Sequence, residues 1–150
     1  MKYFVALLVI VACVSAEEWK PKTADEIKTL RAACLQEHPL SEEQMNRMKV
    51  FDFPDEEAVR KYLMCTSEKM DVYCPHEGYH ADRIAKQFKM DMVEDDVKKL
   101  AEDCISSNPK GDKANDVHVY EVHKCLMASE VGQKVKSYIK SRQEQLAKQA

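Results

Sequence analysis

The chain has 150 residues, 45% of them hydrophobic and 33% charged, with 23 basic against 26 acidic side chains and a formal charge of −3. Lys and Glu alternate throughout, so no basic patch exists to hold a phosphate backbone, and nucleic acid is not an expected partner. Only three glycines occur, and the five prolines (Pro21, Pro39, Pro54, Pro75 and Pro109) fall between periodic segments, the punctuation of a chain of short helices.

The first sixteen residues, MKYFVALLVIVACVSA, carry one cation at Lys2, an apolar run from Tyr3 to Val14 and small residues at the end. This is the pattern of a secretory signal peptide, and the run is too short for a comfortable membrane span. Residues 17–150 are therefore expected as the mature chain: one soluble, secreted domain. Losing residues 1–16 removes Lys2 and Cys13, which takes the formal charge from −3 to −4 and leaves Cys34, Cys65, Cys74, Cys104 and Cys125.

Thr23, with Glu26 three residues on, forms a capping-box signature for a first helix that reaches Glu37, with Ile27, Leu30 and Cys34 on one face. Ser41 opens a short second helix bearing Met45 and Met48. Asp55 opens a third with Val59, Tyr62, Leu63 and Cys65. A fourth is expected over residues 80–88, with Ile84 inward, and a fifth over 94–106, with Val97, Leu100, Ala101, Cys104 and Ile105 along one stripe. Asn115 is the expected cap of a sixth helix over 116–127. Residues 129–150 form a C-terminal amphipathic helix or tail, with Val131, Val135, Tyr138, Ile139 and Leu146 at helical spacing. No stretch shows sustained alternation, so no sheet is expected.

A secreted chain meets an oxidising compartment, where paired cysteines become disulfides. Cys34, Cys65, Cys104 and Cys125 each sit among apolar neighbours on a predicted helix and read as staples between helices. Cys74, in VYCPHEGYH, is left over as a buried inert thiol or a dimer bridge. Metal is the competing account: Cys74, His76 and His80 could supply three ligands, and His118 and His123 two more. Close paired spacings such as CxxC are absent, however, so neither a metal nor any other cofactor is expected. The thiols lie on apolar stripes without an oriented base, and no other catalytic motif appears, so no enzyme is expected.

Four cysteines placed on the first, third, fifth and sixth helices of a secreted, acidic, all-helical chain resemble the insect odorant-binding proteins of the pheromone-binding and general-odorant-binding superfamily. That family has six. Its second stands four residues before its third, where this chain has Lys61, and its fifth stands nine before its sixth, where this chain has Asp116. Loss of that one mutually paired couple resembles the minus-C branch. The resemblance covers roughly residues 24–130. It implies the pairs Cys34–Cys65 and Cys104–Cys125, and an all-α, compact bundle of six to seven short helices around an apolar cavity. Lys61 and Asp116 either approach one another across the third and sixth helices or are two unrelated solvated charges.

The resemblance further implies a carrier for small hydrophobic ligands such as odorants or fatty acids, working as a monomer or weak homodimer, with a membrane receptor left open as a second partner. Flexible methionines suit a pocket that accepts varied apolar shapes. From helix faces, the contact residues chosen are Met45, Met48, Phe51, Phe53, Tyr62, Phe88, Leu100, Tyr120 and Tyr138, the three tyrosines as polar anchors, with Lys or Arg near the mouth if the ligand is an acid. The C-terminal helix is either a lid or a permanently packed seventh helix, and the histidines could make binding pH-dependent. The alternative reading is a secreted helical module, or a dimeric structural protein, whose apolar groove takes a protein partner.

Overall fold

The computed structural model describes residues 18–150; the signal segment and Cys13 lie outside the described residues. Among the described residues seven helices follow one another: α1 (Ala24–Glu37), α2 (Glu42–Lys49), α3 (Glu57–Lys69), α4 (Ala81–Phe88), α5 (Glu94–Ser107), α6 (Asn115–Ala128) and α7 (Glu130–Gln149). The first two start for reasons written in the sequence. The Thr23 hydroxyl accepts from the Glu26 N–H at 3.3 Å while the Glu26 carboxylate accepts from the Thr23 N–H at 2.7 Å, and Ser41 and Gln44 repeat the device at α2. The remaining helices start without a side-chain cap. Asp55 stands two residues before α3, and Asn115 is already inside α6 behind Ala114. The expectation of no sheet is corrected by a minimal antiparallel ribbon, β1 (Tyr73–Cys74) with β2 (Gly78–Tyr79). Two-residue strands are too short to display alternation, and Gly78 supplies the positive φ of 84° that the turn needs.

Among the described residues, two disulfides staple the bundle: Cys34–Cys65 joins α1 to α3 and Cys104–Cys125 joins α5 to α6, with Cα–Cα distances of 5.8 and 5.6 Å. Each closes a loop of the length for which chain entropy contributes on the order of 3–4 kcal/mol. Cys74 is buried, and no described cysteine is a free thiol, so the inert thiol expected there is not found. The most extensive helix packings are α4 on α5 and α3 on α6. Val59, Leu63, Cys34, Val119 and Tyr120 form the largest buried cluster, while Ile84, Val72 and Ala101 form a second against which Trp19 packs.

The charges at the α3–α6 seam differ from expectation. Asp116 is held by Arg60, whose Nε donates at 3.0 Å and whose other arm reaches Asp55 at 2.7 Å. Lys61 instead pairs with Glu57 one turn back along α3. Lys61 is exposed, whereas Arg60 lies half-buried beside the seam, and its forked guanidinium can serve two carboxylates at once.

Candidate functional site

A cavity of about 440 Å³ opens between α1, α2, α3, α4, α6 and α7, within the range of roughly 300–1,000 Å³ typical of small-molecule sites. Its wall is mainly apolar: Leu35 from α1, Met45 and Met48 from α2, Leu63 from α3, Ile84 and Phe88 from α4, Leu126 and Met127 from α6, and Val131, Val135 and Ile139 from α7, with Phe51, Phe53, Met70, Val72 and Tyr79 from the connecting segments.

Two local devices shape this wall. At the end of α2, the Asp52 N–H donates to the Arg47 carbonyl and the Phe51 N–H to the Met48 carbonyl, both at 3.0 Å. This is a Schellman closure, whose left-handed position usually holds glycine; here Phe51 occupies it at a φ of 62°. A backbone that disfavours side chains is thus used to aim an aromatic ring into the cavity. At the α6–α7 elbow, Ser129 both ends α6 and begins α7, and Gly132 follows in the first turn of α7. A Cβ at Gly132 would sit 2.4 Å from the carbonyl oxygens of Leu126 and Met127, so the two helix backbones touch here with no room for a side chain.

Of the nine contact residues chosen from sequence, Met45, Met48, Phe51, Phe53, Tyr62 and Phe88 line the cavity; Leu100, Tyr120 and Tyr138 do not. Leu100 lies on α5, which contributes nothing to the wall. The Tyr120 hydroxyl donates to the Phe53 carbonyl at 2.8 Å, tying α6 to the α2–α3 segment. Tyr138 is 53% exposed on the outer face of α7. Arg31 and His123 both line the wall yet were missing from that choice. From sequence, His123 reads as a possible metal ligand or as one of the histidines that could make binding pH-dependent.

The polar part of the wall is small. The His123 ring packs edge-on against Phe53 at 4.6 Å between centroids, and its buried Nε2 has no hydrogen-bond partner among the described residues. Burial, reinforced by the positive charges of Arg31 and Lys136, lowers the His123 pKa to about 4, so the ring is neutral at physiological pH. Burial raises the Tyr62 phenol, with Arg31 opposing that shift. The Thr66 hydroxyl is already committed to the Leu63 carbonyl at 2.9 Å.

Among the described residues, the grouping with metal-ligand spacing is Glu37, His38 and Cys65, but the Cys65 sulfur is bonded to Cys34 and offers no thiolate. Cys74, His76 and His80 do not converge into such a grouping.

The PBP/GOBP family matches residues 16–129, covering α1 to α6 and both disulfides. The chain belongs to the PBP/GOBP family. Among curated proteins it is similar to odorant-binding protein 22 of Aedes aegypti, 23% identical over 108 residues that cover 72% of this chain and 78% of the relative. It is likewise similar to general odorant-binding protein 99b of Drosophila melanogaster, 26% identical over 140 residues, 86% of this chain and 93% of the relative. The match to the PBP/GOBP family stops at the α6–α7 elbow, so the wall supplied by α7 lies beyond it.

Proposed function

We propose that the chain is a secreted carrier that takes up small hydrophobic ligands in the cavity between its helices. The observation that carries this reading is the apolar cavity of about 440 Å³ enclosed by a PBP/GOBP-family bundle. The names of both relatives state odorant binding, and proteins of this kind are secreted, with which the two disulfides agree. The residues Lys61 and Asp116, at positions where the six-cysteine pattern has its third pair, support placing the chain in the minus-C branch.

Apolar burial is the driving force. At roughly 0.8 kcal/mol per buried methylene, a ten-carbon chain gains about 8 kcal/mol before the cost of immobilising it. The product is a solubilised ligand, unchanged chemically. Titration of the secreted protein with an apolar fluorescent reporter tests this directly: saturable enhancement, reversed by a medium-chain alkane derivative, is expected. A flat titration, together with no change in melting temperature on adding such compounds, would instead favour a module that binds a protein partner.

A further inference from the structure

The even mixing of charge expected from the sequence stops at α7. Residues 130–150 carry five cations, Lys134, Lys136, Lys140, Arg142 and Lys148, against Glu130 and Glu144, a net of +3. Residues 17–129 carry 17 cations against 24 anions, a net of −7. The root of α7 is packed: Val131 and Gly132 are buried, Val135 and Ile139 border the cavity, and Lys134 pairs with Asp91 at 2.9 Å. From Lys140 to Gln149 every residue is exposed, about 15 Å of helix of which only Gln143 borders the cavity. Tyr138, Arg142 and Leu146 recur at four-residue spacing along one face, and its two apolar members are 53% and 61% exposed. On another face Lys140 and Lys148 lie one turn either side of Glu144, so that carboxylate is outnumbered.

We propose that the exposed end of α7 docks on an anionic phospholipid surface, with Tyr138 and Leu146 toward the acyl boundary and Arg142 on the phosphates. A tyrosine brings an apolar ring and a polar tip to the headgroup layer, and the stems of Lys140 and Lys148 let their charges reach the same phosphates. The forked guanidinium of Arg142 matches a phosphate with two parallel donors. No helix among the described residues is long and apolar enough to cross a membrane, so this segment lies on the surface. The rest of the chain, at −7, is repelled by that surface, which turns the +3 helix toward it. A soluble polyanion would engage the cations and leave Tyr138 and Leu146 in water. A second copy is disfavoured on area, because two exposed apolar side chains fall short of the roughly 800 Å² per partner that a stable dimer buries.

The test is co-sedimentation of the secreted protein with vesicles of phosphatidylcholine alone, or of phosphatidylcholine with about one third phosphatidylserine. Binding is expected to the anionic vesicles only, and to fall at least about tenfold in roughly 0.5 M salt. Arg142→Gln with Lys148→Gln should weaken it about twentyfold, and Leu146→Ala about fivefold. Lys99→Gln with Lys110→Gln removes the same charge from exposed positions outside α7 and should not weaken binding. All these side chains are exposed, and an unchanged melting temperature checks that each variant is folded. Vesicle binding that survives Arg142→Gln with Lys148→Gln would overturn the role of α7. Binding insensitive to Leu146→Ala and fully competed by heparin would replace the lipid with a soluble polyanion. No sedimentation at low salt, or a mass that doubles with protein concentration and is reset by Leu146→Ala, would overturn the docking, the latter in favour of a second copy.

Discussion

At the level of single residues, Phe51 and His123 each hold an unfavourable state that the surrounding packing maintains. Phe51 sits in the left-handed region at a cost of about 1 kcal/mol. Phe51→Gly should relieve that strain while losing a half-buried ring, so thermal stability changes little. Affinity for an apolar ligand should nevertheless fall about tenfold; melting curves and reporter titrations on one preparation separate the two effects.

His123 is neutral in the folded chain because its pKa is lowered from 6.5 to about 4. The unfolded chain therefore binds more protons between those values, and stability falls as pH drops from 6.5 toward 4, by up to about 3 kcal/mol if the whole shift is realised. His118, buried and likewise lowered, acts in the same direction. Denaturant unfolding across this range should show the decline, and His123→Gln should flatten part of it. At the α3–α6 seam, a double-mutant cycle should find coupling of about 1 kcal/mol between Arg60 and Asp116, which pair directly, and weaker coupling between Lys61 and Asp116, which do not.

At the level of elements, the α6–α7 elbow leaves no room for a side chain at Gly132. Gly132→Ala would drive a methyl group into two backbone carbonyls that no rotamer change can move aside. We expect α7 to be displaced, a loss of roughly 1–3 kcal/mol, and weaker ligand binding because Val135 and Ile139 move with the helix; denaturant unfolding measures the first and reporter titration the second.

The helices themselves were legible because capping boxes and prolines are local signals. Thr23 with Glu26, and Ser41, mark their helix starts in the sequence alone. The contact residues were less so. A helical stripe tells which face is buried but not against what, which is why Leu100 on α5, outside the cavity wall, is indistinguishable in sequence from Leu63 on α3, which lines it. Tyr120 failed for a different reason: its hydroxyl is spent on Phe53, a partner 67 residues away that no local pattern announces. From sequence His123 reads as a possible metal ligand or titrating group, because only the folded wall shows its Nε2 buried without a partner among the described residues.

At the level of the whole molecule, the two bridges tie α1 to α3 and α5 to α6, while α2, α4 and α7 carry none of the described disulfides. Replacing Cys104 and Cys125 together by alanine should cost on the order of 3 kcal/mol in unfolding free energy and leave helix content nearly unchanged at room temperature; circular dichroism under denaturant titration reads both quantities. The fold class was accessible from sequence because the spacing of four cysteines across four helices is a long-range constraint written along the chain. Cys74 reads as left over because the count is odd and it lies outside the predicted helices and the four-cysteine pattern, signals that say nothing of how a buried sulfur is engaged.

The placement of Gly132, Val135 and Ile139 beyond the family match at residue 129 has a consequence for how such a protein can diversify. Under the proposed carrier role, cargo preference can be retuned by editing α7 beyond Gly132, with the described disulfides and the helices they join untouched. The terminal helix beyond its tight first turn is thus a variable wall on a fixed chassis, whereas Val131 and Gly132 belong to the part that holds the bundle together.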